Sequence, residues 1–288
     1  MSSHPTFHFH LVSDATGETL VAVARAAASQ FRSVSSVEHV HPLVRSSRQL
    51  ERVLAEIASD PGIVLYTLVD EALIVELERR CAELGCPCLS VLAPVFQLLR
   101  THLGLESTAQ AGAQHDLNEH YFKRIDALNY TMAHDDGQGA DDLEGADVVL
   151  LGVSRTSKTP TSIYLANRGV RTANIPLVPD VPLPPGLEDL KAPLVVGLIA
   201  APDRIVEIRH NRLIGLDAAG GSTAALLGDS SYIDREHVSA ELRASRRLCA
   251  KNGWPTIDVT RRSIEETAAA VISMLGEHRA RRAAANGS

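Results

Sequence analysis

The chain has 288 residues, of which 45% are hydrophobic, 22% charged and 4% aromatic. That composition excludes wholesale disorder, a collagen-like repeat and a coiled-coil rod, and the length favours two domains over one. With 28 basic and 35 acidic residues the formal charge is −7, a balance that argues against gripping nucleic acid through its phosphates.

No run reaches the roughly 18 apolar residues of a membrane span, so no membrane partner is expected. The opening MSSHPTFHFH has no basic segment leading into an apolar one, as a secretory signal would. Cys81, Cys86, Cys88 and Cys249 are therefore expected to be reduced thiols in a cytoplasmic protein.

Residues 7–12 read as a strand. Residues 17–31 read as a helix, with Leu20, Ala24, Ala27, Ala28 and Phe31 at helical spacing. A short segment at 37–41 precedes a helix at 49–58, which Ser46 or Ser47 would cap. Residues 63–68 form a compact apolar run typical of a buried parallel strand. A helix follows at 70–84, then a strand at 88–92, and Pro94 opens a helix running to about 103. Alternation of this kind with short links means a parallel sheet covered on both faces.

The pattern changes between 105 and 145. Residues 107–114 are small and polar, and 117–133 look helical. Residues 134–145, HDDGQGADDLEG, hold five acids and three glycines and read as a solvated linker. The expected division is an N-terminal α/β domain at 1–145, for partner binding or assembly, and a phosphate-loop (P-loop) kinase-like domain at 146–288.

The second half alternates again. Strands are expected at 146–151, 172–178, 194–199 and 255–259. Helices are expected at 158–168, 202–213, 234–252 and 263–275, with a Pro-rich loop after the second strand. The overall expectation is an α/β protein with two parallel sheets flanked by helices. Residues 220–231, rich in small side chains, read equally as a lid or a connector.

The sharpest chemical feature is Gly152-Val153-Ser154-Arg155-Thr156-Ser157-Lys158-Thr159, which follows an apolar strand and opens a helix. Backbone N–H groups of such a turn converge on one point, where the helix dipole favours an anion. Lys158 would reach phosphates as a point charge, Thr159 would hold Mg²⁺, and Arg155 could neutralise the transferred group. Ser157 stands where the usual pattern has glycine. An ordinary polar strand-to-helix turn has the same outline.

Other features have plainer readings. Cys81, Cys86 and Cys88 lack the paired spacing of a structural zinc site and read as buried thiols. His8, His10, His39 and His41 alternate on two strands and read as surface or satisfied side chains. Asp14–Glu18 is either a ligand contact at a strand end or a helix start, with Thr16 suited to initiation. Arg279, Arg281 and Arg282 read as charges complementing a helix C-terminus before it frays.

Four segments carry a resemblance: VSDATGETL at 12–20, YFKRIDALNYTMAHDDGQ at 121–138, DVVLLGVSRTSKTPTSIYLANRGVRTANIPLVP at 147–179 and WPTIDVTRRSIEETA at 254–268. Together they resemble the pyruvate, phosphate dikinase regulatory protein family, whose close relatives regulate phosphoenolpyruvate synthase. The likeness runs from about residue 6 to 276 and is most specific at 147–179.

The resemblance implies a bifunctional enzyme. Such proteins phosphorylate a dikinase threonine with ADP as donor, and remove that phosphate with inorganic phosphate, releasing pyrophosphate. On that basis Gly152, Val153, Ser154, Arg155, Thr156, Ser157, Lys158 and Thr159 form the ADP site, with Lys158 against the transferred β-phosphoryl. A second anion pocket is needed for inorganic phosphate, from the arginines of 204–212 or from Arg261 and Arg262. The acceptor hydroxyl needs a base, with Asp180 the first expectation and Asp258 the second. An ATP-dependent small-molecule kinase and a non-enzymatic nucleotide sensor are the rival readings. The oligomeric state stays open, a homodimer included.

Overall fold

The computed structural model describes residues 6–31, 35–106, 108, 119–179, 181–218 and 232–286. By contacts the chain divides into two compact units, Met1–Asp116 and Leu117–Ser288.

The first unit runs β1 (Thr6–Ser13), α1 (Glu18–Ala28), β2 (Ser35–His41), α2 (Ser47–Ser59), β3 (Ile63–Thr67), α3 (Glu71–Glu83), β4 (Cys88–Ser90) and α4 (Ala93–Leu103). Its four strands pair in parallel in the order β2-β1-β3-β4. Alternate side chains along each strand feed opposite faces. Val12, Val64 and Tyr66 pack with Leu50 and Ile57 of α2 and Leu77 of α3. Phe9, Leu11 and Leu65 pack with Leu20 and Ala24 of α1. Full burial of each such side chain contributes about 1.5–3 kcal/mol.

The histidines of this sheet are satisfied where they stand. His8 Nδ1 lies 2.8 Å from His39 Nε2, His10 Nδ1 lies 3.2 Å from His41 Nε2, and His10 stacks on His39. Helix α1 begins at Glu18 behind Gly17, whose backbone is left-handed at φ 82°.

The second unit runs α5 (Glu119–Ala133), a 3-10 turn (Ala140–Gly145), β5 (Val148–Gly152), α6 (Lys158–Ala166), β6 (Thr172–Pro176), a 3-10 turn (Leu187–Asp189), β7 (Leu194–Ile199), α7 (Pro202–Ala218), α8 (Arg235–Lys251), β8 (Thr256–Asp258) and α9 (Ile264–Asn286). Its parallel sheet has the order β6-β5-β7-β8, the same plan as the first. Val148, Leu150, Val196 and Leu198 face α6 and α9, whereas Val149, Leu151, Ala173 and Ile175 pack with Leu143 and Leu187. Cys249 of α8 sits so close to the sheet that any side chain at Gly197 would meet its sulfur.

Two sequence expectations need correction. Residues 134–145 are not a solvated linker: His134 and Leu143 are buried. The Gly137 N–H bonds the Asn174 carbonyl and the Asn174 N–H bonds the His134 carbonyl, both at 2.9 Å, stitching the segment onto β6. With α5 packed on α6 and β6, this stretch belongs to the second unit. The final helix does not end near 275 either. It continues to Asn286, held by Arg279 on Asp147 at 2.6 Å and by Arg282 on the Ala192 carbonyl at 2.9 Å.

Candidate active site

In an open parallel sheet, ligands gather at the carboxyl ends of the strands, where successive connections depart in opposite directions. Here β5 lies between β6 and β7, so the turn after Gly152 occupies that position. The sequence dictates its tightness. A Cβ on Gly152 would lie 2.7 Å from both the Leu198 carbonyl oxygen and Thr156 Oγ1, so only glycine fits. Arg155 (φ 75°) and Ser157 (φ 60°) adopt left-handed backbone. Ser157 thus stands in a conformation that glycine would take without strain.

Inside the turn, Thr156 Oγ1 donates to the Val153 carbonyl at 2.9 Å and Lys158 Nζ donates to the same oxygen at 3.1 Å. Lys158, at the start of α6, is only 6% exposed. Burial pushes its ammonium down to about 8, with Arg155 and Arg209 adding to the effect while Asp136 and Asp135 oppose it.

Arg209 of α7 is 1% exposed. It donates to Glu241 Oε2 at 2.7 Å, to the Tyr232 carbonyl at 2.9 Å and to the Ser154 carbonyl at 3.4 Å. Its Nε and that of Arg155 are both buried without a partner. Two unanswered guanidinium N–H groups beside a buried ammonium are what a polyphosphate would satisfy, so these residues fit a nucleoside diphosphate.

On the other side of Lys158 lies a carboxylate that the sequence reading passed over. Thr159 Oγ1 donates to Asp135 Oδ1 at 3.0 Å, and Asn174 Nδ2 donates to the same Asp135 oxygen at 2.5 Å and to Thr159 Oγ1 at 2.9 Å. Asp135 follows α5, and Asp136, with φ 50°, begins the turn back toward β6. The Asp-Asp-Gly run was mistaken for linker chemistry. Its usable signal was position, since two acids directly after a helix and before a glycine turn can be aimed.

The donor set of Asp135 and Thr159 suits Mg²⁺, which takes few protein oxygens and completes its shell with phosphate and water. Among the described residues no three His, Cys, Asp or Glu side chains converge as a metal cluster.

The other expected residues fall as follows. Asp180 and residues 220–231 lie outside the described residues. Asp258 accepts from Thr260 N at 2.9 Å and from Thr260 Oγ1 at 2.5 Å, which holds its carboxyl below the usual range. Thr260 Oγ1 in turn takes the Ala201 N–H, so the Asp258–Thr260 pair ties the ends of β7 and β8 together. Of the arginines at 204–212, Arg204 pairs with exposed Glu207 and Arg209 reaches the turn. Arg261 and Arg262 are exposed.

A strand-to-helix turn with this charge arrangement fits phosphoryl transfer. The family described as kinase/pyrophosphorylase matches residues 9–272, and this chain belongs to it. Three relatives are named pyruvate, phosphate dikinase regulatory protein. One from Rhodopseudomonas palustris strain BisA53 is 58% identical over 276 residues, covering 96% of each chain. One from Afipia carboxidovorans is 59% identical over 271 residues, covering 94% of this chain and 95% of its own. One from Nitrobacter winogradskyi is 58% identical over 276 residues, again 96% of each. Among the described residues no helix is long and apolar enough to cross a membrane.

Proposed function

We propose that this chain switches pyruvate, phosphate dikinase off and on, with one phosphoryl-transfer site running two reactions. In the first, a dikinase threonine hydroxyl attacks the β-phosphorus of ADP. The bond to the α-phosphate oxygen breaks, AMP leaves, and the hydroxyl proton passes to a carboxylate. In the second, inorganic phosphate attacks the phosphothreonine phosphorus, pyrophosphate leaves, and the threonine oxygen recovers a proton. The names of the relatives support the dikinase as target, and phosphoenolpyruvate synthase is the alternative.

The observation that carries this reading is the Lys158 ammonium, buried in the turn beside two arginines with unused N–H groups. Catalysis of phosphoryl transfer is mostly positioning and neutralisation of charge. Backbone N–H groups of residues 154–159 would cradle the diphosphate. Lys158 would neutralise the migrating group, and Arg155 the oxygen that leaves. Thr159 and Asp135 would hold Mg²⁺, which would supply positive charge to offset that of the phosphates. Asp136, exposed and next to Asp135, would accept the proton of the incoming hydroxyl; Asp180 remains the alternative base. Arg209, one of the arginines of 204–212, donates to the Ser154 carbonyl and would supply the anion contact sought along that stretch.

The test is incubation with purified dikinase and ADP, then with inorganic phosphate, following threonine phosphorylation by mass spectrometry and pyrophosphate release. Threonine phosphate formed with ADP and removed with phosphate is expected, and Lys158→Ala abolishes both. Strict use of ATP, or an unmodified dikinase, overturns the proposal.

A further inference from the structure

Strand β6 is buried along most of its length, and its middle residue is out of character for such a strand. Asn174 is 1% exposed and lies level with Leu150 of β5. Its neighbours Ala173 and Ile175 face the core on one side, so the amide points to the other, toward α6.

The polar groups of Asn174 divide in two. Its backbone N–H and carbonyl bond the His134 carbonyl and the Gly137 N–H, and so grip both ends of the turn that carries Asp135 and Asp136. Any residue but proline would make those two bonds. The side chain does something else. Nδ2 donates to Asp135 Oδ1 and to Thr159 Oγ1, while Oδ1 is buried without a partner. Turning the amide over would set Oδ1 against the Asp135 carboxylate, so the orphaned acceptor is the cost of presenting two donors. An apolar side chain would fill the position without that cost. Packing therefore does not explain the amide.

We infer that Asn174 is a positioning residue for phosphoryl transfer, its amide fixing the Asp135 carboxylate and the Thr159 hydroxyl relative to each other. The inference rests on the reading of the site proposed above. With Nδ2 donating to Thr159 Oγ1, the hydroxyl hydrogen is directed onto Asp135, and one lone pair of that oxygen stays open for a cation. Both donors fall on Asp135 Oδ1, which leaves Oδ2, 3.4 Å from Thr159 Oγ1, the freer oxygen. The carboxylate held in this way also acts on Lys158, where Asp135 and Asp136 favour the charged ammonium against its burial.

The test has two arms, both on the full chain. In denaturant, Asn174→Asp should unfold early, because two carboxylates then face each other. Adding Asp135→Asn exchanges donor and acceptor, and should return most of the lost midpoint. In the assay with dikinase and ADP, Asn174→Asp and Asn174→Leu should each lower kcat about a hundredfold, with KM for ADP within about threefold of wild type. The backbone of residues 154–159 is untouched and still cradles the diphosphate. The exchanged pair should recover stability without recovering kcat, which a merely structural latch would not do. An exchanged pair no more stable than Asn174→Asp, a loss confined to KM for ADP, or full kcat in Asn174→Leu beside an active wild type would each overturn this inference alone. A wild-type chain that leaves the dikinase unmodified overturns the reading of the site, and this inference with it.

Discussion

Asp135 and Thr159 are 24 residues apart in sequence, yet the Thr159 hydroxyl donates to Asp135 Oδ1 at 3.0 Å, and Asn174 closes the triangle. This bond joins the end of α5 to the start of α6 and puts a carboxylate beside the turn where phosphate is expected. Asp135→Ala removes the acceptor for two donors at once. The expected cost is about 1–3 kcal/mol in stability and roughly a hundredfold or more in kcat/KM. Thermal unfolding and the ADP-dependent phosphorylation assay check it; a fully active variant would remove Asp135 from the mechanism.

Lys158 makes the protein's stability depend on pH. Its folded value is about 8 against the usual 10.5. Below pH 8 both states hold the proton, and the cost of burying the ammonium is present in full. Between about 8 and about 10.5 the folded chain has released the proton while the unfolded chain keeps it, so this group makes stability rise with pH. Lys158→Met should flatten that rise in denaturant titrations across the window. In the wild type, kcat/KM should fall as pH climbs through 8, because a neutral amine no longer offsets phosphate charge.

The turn should respond oppositely to two small substitutions. Gly152→Ala puts a methyl within 2.7 Å of the Leu198 carbonyl oxygen, so strand or turn must move. A loss of about 1–3 kcal/mol and of ADP binding is expected. Ser157→Gly relieves left-handed strain of about 1–2 kcal/mol, partly offset by the backbone entropy of glycine. A net gain of up to about 1 kcal/mol should appear as a higher Tm. A lower Tm for Ser157→Gly would mean that the serine side chain holds the turn in some other way.

Arg209→Ala leaves Glu241 without its partner, and that side chain is only 15% exposed. Breaking a pair this buried costs about 3–5 kcal/mol, so the variant should unfold early. Arg209→Met combined with Glu241→Leu should recover much of the loss while staying poorly active, since neither side chain can reach the Ser154 carbonyl. Stability and activity measured on the same preparations separate the two effects.

Much of this architecture is legible in the residues. Runs such as Val148–Gly152 and Leu194–Ile199 are apolar throughout because both faces of a parallel strand are covered. The turn at 152–159 is readable because glycine, lysine and threonine at fixed spacing directly follow such a strand. Asp135 and Asn174 were not readable, because their meeting depends on the strand order and on α5 folding back, neither of which is local. Asp258 ends a strand as expected, and its bonds to Thr260, two residues on, are a contact that strand position alone does not announce. The run of charge at 134–145 misled because acids and glycines signal solvent unless a partner waits for them.

The stitching of residues 134–145 onto β6 has a practical bearing on any attempt to isolate the half that carries the proposed site. A fragment starting at Ala146 would retain all four strands of that sheet, the whole of the turn, and Lys158. It would nonetheless lose the acceptor that Thr159 and Asn174 share, because Asp135 would be gone. A fragment that keeps that acceptor has to reach back past Glu119, taking along the helix that delivers it.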